Sequence, residues 1–240
     1  MESLKEQTLG QIVSKDYRTA DVFKKFGLDF CCGGKQTVAE ACENEGVAMN
    51  QLAKELTSLG EKTSDTHNYS SWSPGFLIDY IVHNHHAFVR TNLPKIESYL
   101  QKVSRVHGDT HDELNDILTE FQVMKEGMIS HLEKEEQILF PFIKDLIEND
   151  RKGAYPDDKP HFETVENPVH MMEEEHDEAG ESMAKIQRLS DNFTPPKDAC
   201  TTYRVLFQSL EAFQDDLHKH VHLENNILFP RALELEKKLN

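Results

Sequence analysis

Two stretches of this sequence share one frame: His131–Pro141 reads HLEKEEQILFP, and His220–Pro230 reads HVHLENNILFP. Each stretch places a glutamate four residues after a histidine and then continues with Ile-Leu-Phe-Pro. In a helix, side chains at positions i and i+4 lie on one face, about one turn apart. Each stretch therefore predicts a helix that presents an imidazole and a carboxylate to the same point.

Both His-Glu pairs lie on a core seam, a row of residues with alternating steps of four and three. The seam of the second long segment consists of Ile117, Phe121, Met124, Met128, His131, Glu135, Ile138 and Phe142. The seam of the fourth consists of Leu206, Leu210, Phe213, Leu217, His220, Glu224 and Ile227. Two further segments carry one seam histidine each, His86 four residues after Val82 and His176 four residues after Met172. The seams predict four helices, at about residues 75–105, 112–148, 168–190 and 200–238.

The rest of the sequence completes an all-α prediction. Residues 1–60 are interpreted as a small helical N-terminal domain, in which Thr37 and Glu40 have the spacing of a capping box. Residues 61–73 are polar and have no apolar period, so they predict a linker. Residues 74–240 predict an antiparallel four-helix bundle.

The composition limits the classes of partner. The 240 residues carry a formal net charge of −17, which argues against binding to nucleic acid or to an anionic membrane. The sequence has no run of about 18 apolar residues that would predict a membrane span, and its start lacks the apolar core of a secretory signal. We therefore expect a cytoplasmic protein whose four cysteines are reduced.

A glutamate on a core seam needs compensation, because burying an unpaired carboxylate is costly. Metal ions can provide it, and the seam ligands are His86, His131, Glu135, His176, His220 and Glu224. Two six-coordinate ions can share four imidazoles, two bridging carboxylates and an oxo or hydroxo bridge, which leaves about one open position on each ion. Imidazole and carboxylate favour iron, with manganese and zinc as weaker candidates.

Three other residues are candidates to contact a metal ligand or to line an access path to it. His83 lies three residues before His86, on roughly the same helix face. Glu126 precedes His131 by five residues, and Glu175 is the neighbour of His176. A solvated helix face is the simpler interpretation of both glutamates.

The sequence CCGGK places Cys31 and Cys32 just before a predicted helix N-terminus. Backbone amides at such a position lower the pKa of a thiol and favour the thiolate. The two thiols are therefore candidates for redox chemistry, for nitrosylation, or for contact with a cluster or a second chain. Two buried structural thiols are the alternative interpretation.

These motifs together resemble a known family. The bundle with two His-x-x-x-Glu motifs is similar to the hemerythrin-like domain, and GLDFCCGGKQTVAEAC resembles the short ScdA-type N-terminal domain. With RVHGD, KEEQILFP, EHDEAGE and HLENNILFP in this order, the chain resembles the iron–sulfur cluster repair di-iron proteins, the RIC (ScdA/YtfE) family. The resemblance implies two non-heme iron ions per chain, bridged by the two glutamates and bound by His86, His131, Glu135, His176, His220 and Glu224.

The resemblance also implies a function, the repair of iron–sulfur clusters damaged by oxidative or nitrosative stress, by donation of iron. Oxygen-carrying hemerythrins place a second histidine one turn after the lone histidine of the third helix, where this chain has Gly180, so reversible oxygen carriage is disfavoured. Expected partners are damaged iron–sulfur proteins, small molecules such as nitric oxide or dioxygen, and a second copy of the chain in a homodimer. An enzyme that reduces nitric oxide or peroxide, and a module that senses oxygen or iron, stay open as alternatives.

Overall fold

A computed structural model describes residues 2–60, 68–153 and 161–239. These residues form helices joined by turns and no strand, and one isolated antiparallel bridge joins Thr8 to Thr37. The predicted all-α class is confirmed. Most of the predicted linker at 61–73 lies outside the described residues, and its last part contains a 3-10 turn, Tyr69–Ser71. None of the helices described is long and apolar enough to cross a membrane.

Short helices form the described part of the N-terminal region: α1 (Glu2–Lys5), α2 (Leu9–Lys15), α3 (Thr19–Lys25), α4 (Val38–Asn44) and α5 (Met49–Ser58). Local signals set their ends. The predicted capping box between Thr37 and Glu40 begins α4, and a second one between Thr8 and Gln11 begins α2. Gly46 follows α4 with a φ of 66°, a conformation that favours glycine.

Four long helices follow in the described part of the chain. They are α6 (Pro74–Tyr80, Ile81–His86, Ala87–His107), α7 (Glu113–Lys134, Glu135–Leu139, Phe140–Lys152), α8 (Glu166–Leu189) and α9 (Thr201–Leu223, Glu224–Leu228, Phe229–Leu239). Their ends agree with the four predicted segments to within a few residues. The 3.6-residue period of the seams was thus sufficient to find each helix.

The middle segment of each three-part helix is a π-helical turn. Such a turn adds a residue to the helix, so the residues that follow it move to another face. The seam position predicted for Ile138 is therefore wrong, since Ile138 is 39% exposed and Leu139 is 1% exposed. In α6 the same shift leaves Val82 half-buried and buries Ile81 fully.

The structure divides into two compact units. The first comprises the described residues of Met1–Ile78, Leu146–Pro156 and Lys219–Asn240, and the second those of Asp79–Asp145 and Asp157–His218. The domain boundaries drawn from the sequence stay a prediction.

Apolar seams form the core of the second unit, where the central parts of the four long helices pack as an antiparallel bundle. Phe121 of α7 and Phe213 of α9 are both buried and meet edge to face, with ring centroids 6.2 Å apart. Each such phenylalanine contributes roughly 1.5–3 kcal/mol through burial. In the first unit, Leu9, Val13 and Phe23 form part of a separate apolar core.

Candidate metal centre

A water-excluded cluster of imidazoles surrounds one carboxylate in the second unit. Glu135 Oε2 lies 3.3 Å from His86 Nε2 and 3.4 Å from His131 Nε2. His176 Nε2 lies 3.1 Å from His131 Nε2. None of the four side chains is more than 1% exposed. The structure therefore brings together four of the six candidate ligands inside this unit.

The outer nitrogen of His86 contacts a second carboxylate. His86 Nδ1 lies 2.7 Å from Glu136 Oε1, and Arg90 Nη1 donates to the same oxygen at 2.5 Å. Burial raises the pKa of Glu136, but the hydrogen bonds from Arg90 and His86 outweigh it, and the net pKa lies below its usual value. An ionised Glu136 thus holds the ring of His86 with Nε2 directed at Glu135.

His131 repeats this arrangement on the facing helix. Its Nδ1 lies 3.0 Å from Glu175 Oε2, and Lys134 donates to the other oxygen of Glu175. Burial raises the pKa of Glu175, yet the hydrogen bonds from His131 and Lys134 leave it below its usual value. Glu175 is therefore a hydrogen-bond partner of the candidate ligand His131, and its role at a metal centre stays a prediction.

The other two seam ligands lie in the first unit. His220 Nε2 is 2.9 Å from Glu224 Oε1, and both side chains are completely buried. Glu224 is the first residue of the π turn in α9, as Glu135 is the first residue of the π turn in α7. The two His-Glu motifs therefore have the same local structure.

The chemistry of these donors fits iron. Metal-binding histidines usually donate their second N–H to a carboxylate, as the Nδ1 atoms of His86 and His131 are placed to do. In the neutral ring this leaves the Nε2 lone pair to bind a cation. Two ligand atoms about 2.1 Å from one ion, at a right angle, stand about 3 Å apart, close to the observed spacings around Glu135. Imidazole and carboxylate are ligands that suit iron.

Two of the three residues predicted to contact a metal ligand or to line an access path have other surroundings. His83 is exposed, and its Nδ1 lies 2.8 Å from the carbonyl oxygen of Asp79 in its own helix. Glu126 is exposed on α7. The structure thus gives no contact between either residue and the buried histidines within the second unit.

The sequence interpretation missed Glu136, Arg90 and Lys134, which support the ligands from outside. A signal for the first two is present in the sequence. Arg90 follows His86 by four residues, so the two share a helix face, and Glu136 is the immediate neighbour of the bridging candidate Glu135. A cation one turn after a seam histidine, together with a glutamate next to a candidate ligand, is therefore a usable indication of such supporting residues.

The cysteine loop, residues 29–33, lies in the first unit, and its hydrogen bonds differ from those that the sequence predicted. The amides of Cys31, Cys32 and Gly33 donate to the carboxylate of Asp29, at 2.9, 3.2 and 3.0 Å, so they are not directed at a thiolate. The pKa of Cys31 lies well above its usual value, because of its hydrogen bond with Cys32, its burial and the nearby charge of Asp29. The predicted lowering of the thiol pKa is therefore wrong for Cys31.

Asn226 ties this loop to the π turn of α9 within the first unit. Its Nδ2 lies 3.2 Å from the carbonyl oxygens of Phe30 and Cys31. Gly10 and Gly34 make room for the Asn226 amide, because a Cβ atom on either would lie 2.1 or 2.3 Å from its Oδ1. The amide therefore fixes the cysteine loop beside the turn that begins with Glu224.

We expect alanine to change the free energy of unfolding in opposite directions at two glycines that lie in helices. Gly10→Ala should lower the free energy of unfolding by about 1–3 kcal/mol, since it displaces Asn226 from the loop. Gly127→Ala, the matched control, meets nothing within 4 Å and should raise it by about 0.5–1 kcal/mol, since alanine favours the helix. Urea denaturation measures both values. A Gly10→Ala protein as stable as the Gly127→Ala protein would contradict the role of Asn226.

Two family models match the chain. The ScdA_N model, a domain of unknown function, matches residues 5–60, and the hemerythrin HHE cation-binding domain matches residues 77–232. The iron–sulfur cluster repair protein YtfE of Enterobacter sp. (strain 638) is 36% identical over 231 residues, which cover 96% of this chain and 98% of that protein. Proteins of the same name from Escherichia coli O81 (strain ED1a) and Escherichia fergusonii are 36% and 35% identical over 229 residues, 95% of this chain and 97% of theirs.

These matches cover both the cysteine region and the bundle, and they confirm the resemblance drawn from the motifs. The hemerythrin model alone matches more than half of the chain. The chain therefore belongs to the YtfE family of iron–sulfur cluster repair proteins, with an ScdA_N domain followed by a hemerythrin-like cation-binding domain.

Proposed function

We propose that one di-iron centre is held by the six seam ligands, His86, His131, Glu135, His176, His220 and Glu224. In this proposal Glu135 and Glu224 would be shared by the two ions, and an oxo or hydroxo group would complete the centre. The observation that best supports this proposal is the buried carboxylate of Glu135, which faces the imidazoles of His86 and His131. The outer nitrogen of each imidazole contacts an ionised carboxylate. Such a cluster is costly without a cation, because burial disfavours the charged carboxylate.

We propose further that the protein repairs iron–sulfur clusters damaged by oxidative or nitrosative stress, with iron as the cargo that it donates. The names of its relatives and the cation-binding class of its bundle support this function. Gly180 lies one turn after His176 in α8 and offers no side chain to bind metal. A centre with six protein ligands keeps positions open to a recipient's ligand, and to nitric oxide or dioxygen.

The protein residues have separate tasks in this donation. The histidines and glutamates would bind the iron, and their burial would limit its contact with water. Glu136 and Glu175 hold the two imidazoles in place, as Arg90 and Lys134 hold the two glutamates. When bound, iron supplies Lewis-acid and redox chemistry. The proposal also includes three domain boundaries: an N-terminal domain at residues 1–60, a linker at 61–73 and the bundle at 74–240. It further includes a cytoplasmic location and a homodimer.

An iron-transfer experiment tests the function. The iron-loaded protein is reduced and mixed anaerobically with an enzyme whose iron–sulfur cluster has been damaged. We expect recovery of the enzyme's activity together with loss of at least one iron per chain, while the helical circular dichroism stays unchanged. Lower metal charge weakens the attraction to carboxylates, so the reduced protein should donate faster than the oxidised one. A reduced protein that keeps both irons against a strong chelator, yet consumes nitric oxide catalytically, would replace donation by an enzymatic function.

The thiols are proposed to act in repair and not in the di-iron centre. We expect the Cys31→Ser, Cys32→Ser double variant to keep the absorption spectrum of the di-iron centre and its two iron ions, because the seams already supply the ligands of that centre. The same variant should restore less activity to the damaged enzyme. Cys200→Ser is the matched control, since Cys200 is exposed and lies outside the loop. Loss of the di-iron absorption from the double variant would show that the thiols are ligands of the centre.

A further inference from the structure

The cysteine loop contains a second group of side chains that could bind a metal ion, separate in sequence from the six seam residues. One ligand atom from each of Asp29, Cys31 and Cys32 lies within 4.8 Å of the others. Cys31 Sγ is 3.0 Å from Asp29 Oδ1. We propose that these three side chains form a binding site for one thiophilic divalent transition-metal cation.

The two sulfurs determine the class of cation. Thiolates favour zinc, ferrous iron and cobalt over magnesium or calcium, which prefer oxygen ligands. Binding breaks the S–H bonds of Cys31 and Cys32 and forms two metal–sulfur bonds, and two protons go to solvent. No electron moves. The divalent ion and the two released protons carry equal charge, so the site keeps the single negative charge of Asp29.

The loop is already ordered for this task. Three backbone amides fix the carboxylate of Asp29 next to the thiols, and Asn226 fixes the backbone on the other side through the Phe30 and Cys31 carbonyls. A carboxylate has about four lone-pair sites. The amides of Cys31 and Cys32 occupy the two sites of Oδ1 and the amide of Gly33 one site of Oδ2, so one site of Oδ2 remains for a cation. Little reorganisation is needed, which favours binding.

The three ligands leave one position of a tetrahedral ion open. Cys31 is buried, whereas Cys32 is half-buried and Asp29 is exposed, so the open position faces solvent. A ligand from another protein can therefore complete the coordination. This last step rests on the proposed function: for an iron donor the cation is ferrous iron, and the loop is a place from which a recipient takes it.

Cobalt(II) is the probe that tests the site, because a cobalt–thiolate bond gives a charge-transfer absorption. The iron-loaded chain is titrated anaerobically with Co²⁺, and released protons are counted with a pH indicator. We expect this absorption to saturate at one Co²⁺ and two protons per chain. Alkylation of Cys32, followed by mass spectrometry, should slow by roughly tenfold or more on saturation, while alkylation of Cys200 stays unchanged.

Two variants separate the site from adventitious thiol binding. Asp29→Asn should weaken Co²⁺ binding by roughly tenfold or more, whereas Asp21→Asn, an exposed aspartate of α3, should leave it unchanged. Cys32→Ser should remove the saturable binding, with the circular dichroism retained. Equal alkylation of Cys32 with and without Co²⁺, or unchanged affinity in Asp29→Asn, would overturn the proposal.

The proposed function and this site can fail separately. A protein that binds Co²⁺ at the loop but gives up no iron to a damaged cluster keeps the site and loses the donor function. A protein that donates iron without any cobalt–thiolate absorption keeps the function and loses the site.

Discussion

The Glu135→Ala, Glu224→Ala double variant is expected to lose the two iron ions that we propose for the di-iron centre of the wild-type chain. Both carboxylates are completely buried, and each lies within 3.4 Å of an imidazole nitrogen in its own unit. Alanine removes the negative charge that attracts the cation and the oxygens that bridge it. The imidazoles that remain are neutral ligands, and they cannot balance the charge of two buried ions.

Iron analysis after anaerobic loading and desalting measures this result. The matched control is Glu133→Ala, Glu211→Ala, which removes two exposed glutamates from the same two helices and should leave two irons per chain. Thermal unfolding gives a second measurement. Iron at 100 times its dissociation constant stabilises a protein by about 2.7 kcal/mol, and the double variant should lose this increment. Full iron retention by the double variant would remove Glu135 and Glu224 from the ligand set.

The helices could be predicted from the sequence because each one buries a regular seam. Ile117, Phe121 and Met124 follow the 3.6-residue period, and all three are buried. His131 and Glu135 stood out because a polar residue on such a seam conflicts with burial unless something binds it. The fold and the histidine cluster of the second unit could therefore both be predicted from the apolar seams.

The π turns could not be predicted in this way, because the pattern assumes a constant period. Adding one residue at Glu135–Leu139 turned Ile138 outward and Leu139 inward. Pro141 and Pro230 are the signal that was available, since each follows closely after a π turn. Proline has no N–H to donate to the preceding turn, and its ring clashes there, which loosens the helix at that point.

The chemistry of the cysteine loop also lay beyond the sequence pattern. The prediction of a lowered thiol pKa assumed that the loop amides point at sulfur. Asp29, two residues before Cys31, accepts those amides instead. Whether a carboxylate or a thiolate takes such amides depends on the fold of the loop, which Asn226 fixes from a residue far away in the chain.

The Glu136→Gln variant is expected to bind iron 10–100 times more weakly than the wild type, although Glu136 is outside the proposed ligand set. Ionised Glu136 accepts from His86 Nδ1 and thereby raises the basicity of the ring nitrogen that faces Glu135. Removing such an outer carboxylate typically costs about 10–100-fold in metal affinity. Glutamine has nearly the same shape and can still accept from Arg90, so the change removes charge and little packing.

Competition with a chelator of known affinity measures this difference. Glu133→Gln is the matched control, because Glu133 is exposed on the same helix and should leave iron affinity unchanged. Glu175→Gln should weaken binding in the same way through His131, since hydrogen bonds from a histidine and a neighbouring cation lower the pKa of each glutamate. If both variants bind iron as tightly as the wild type, the outer glutamates only stabilise the fold, and the orientation of the two histidines is set by helix packing alone.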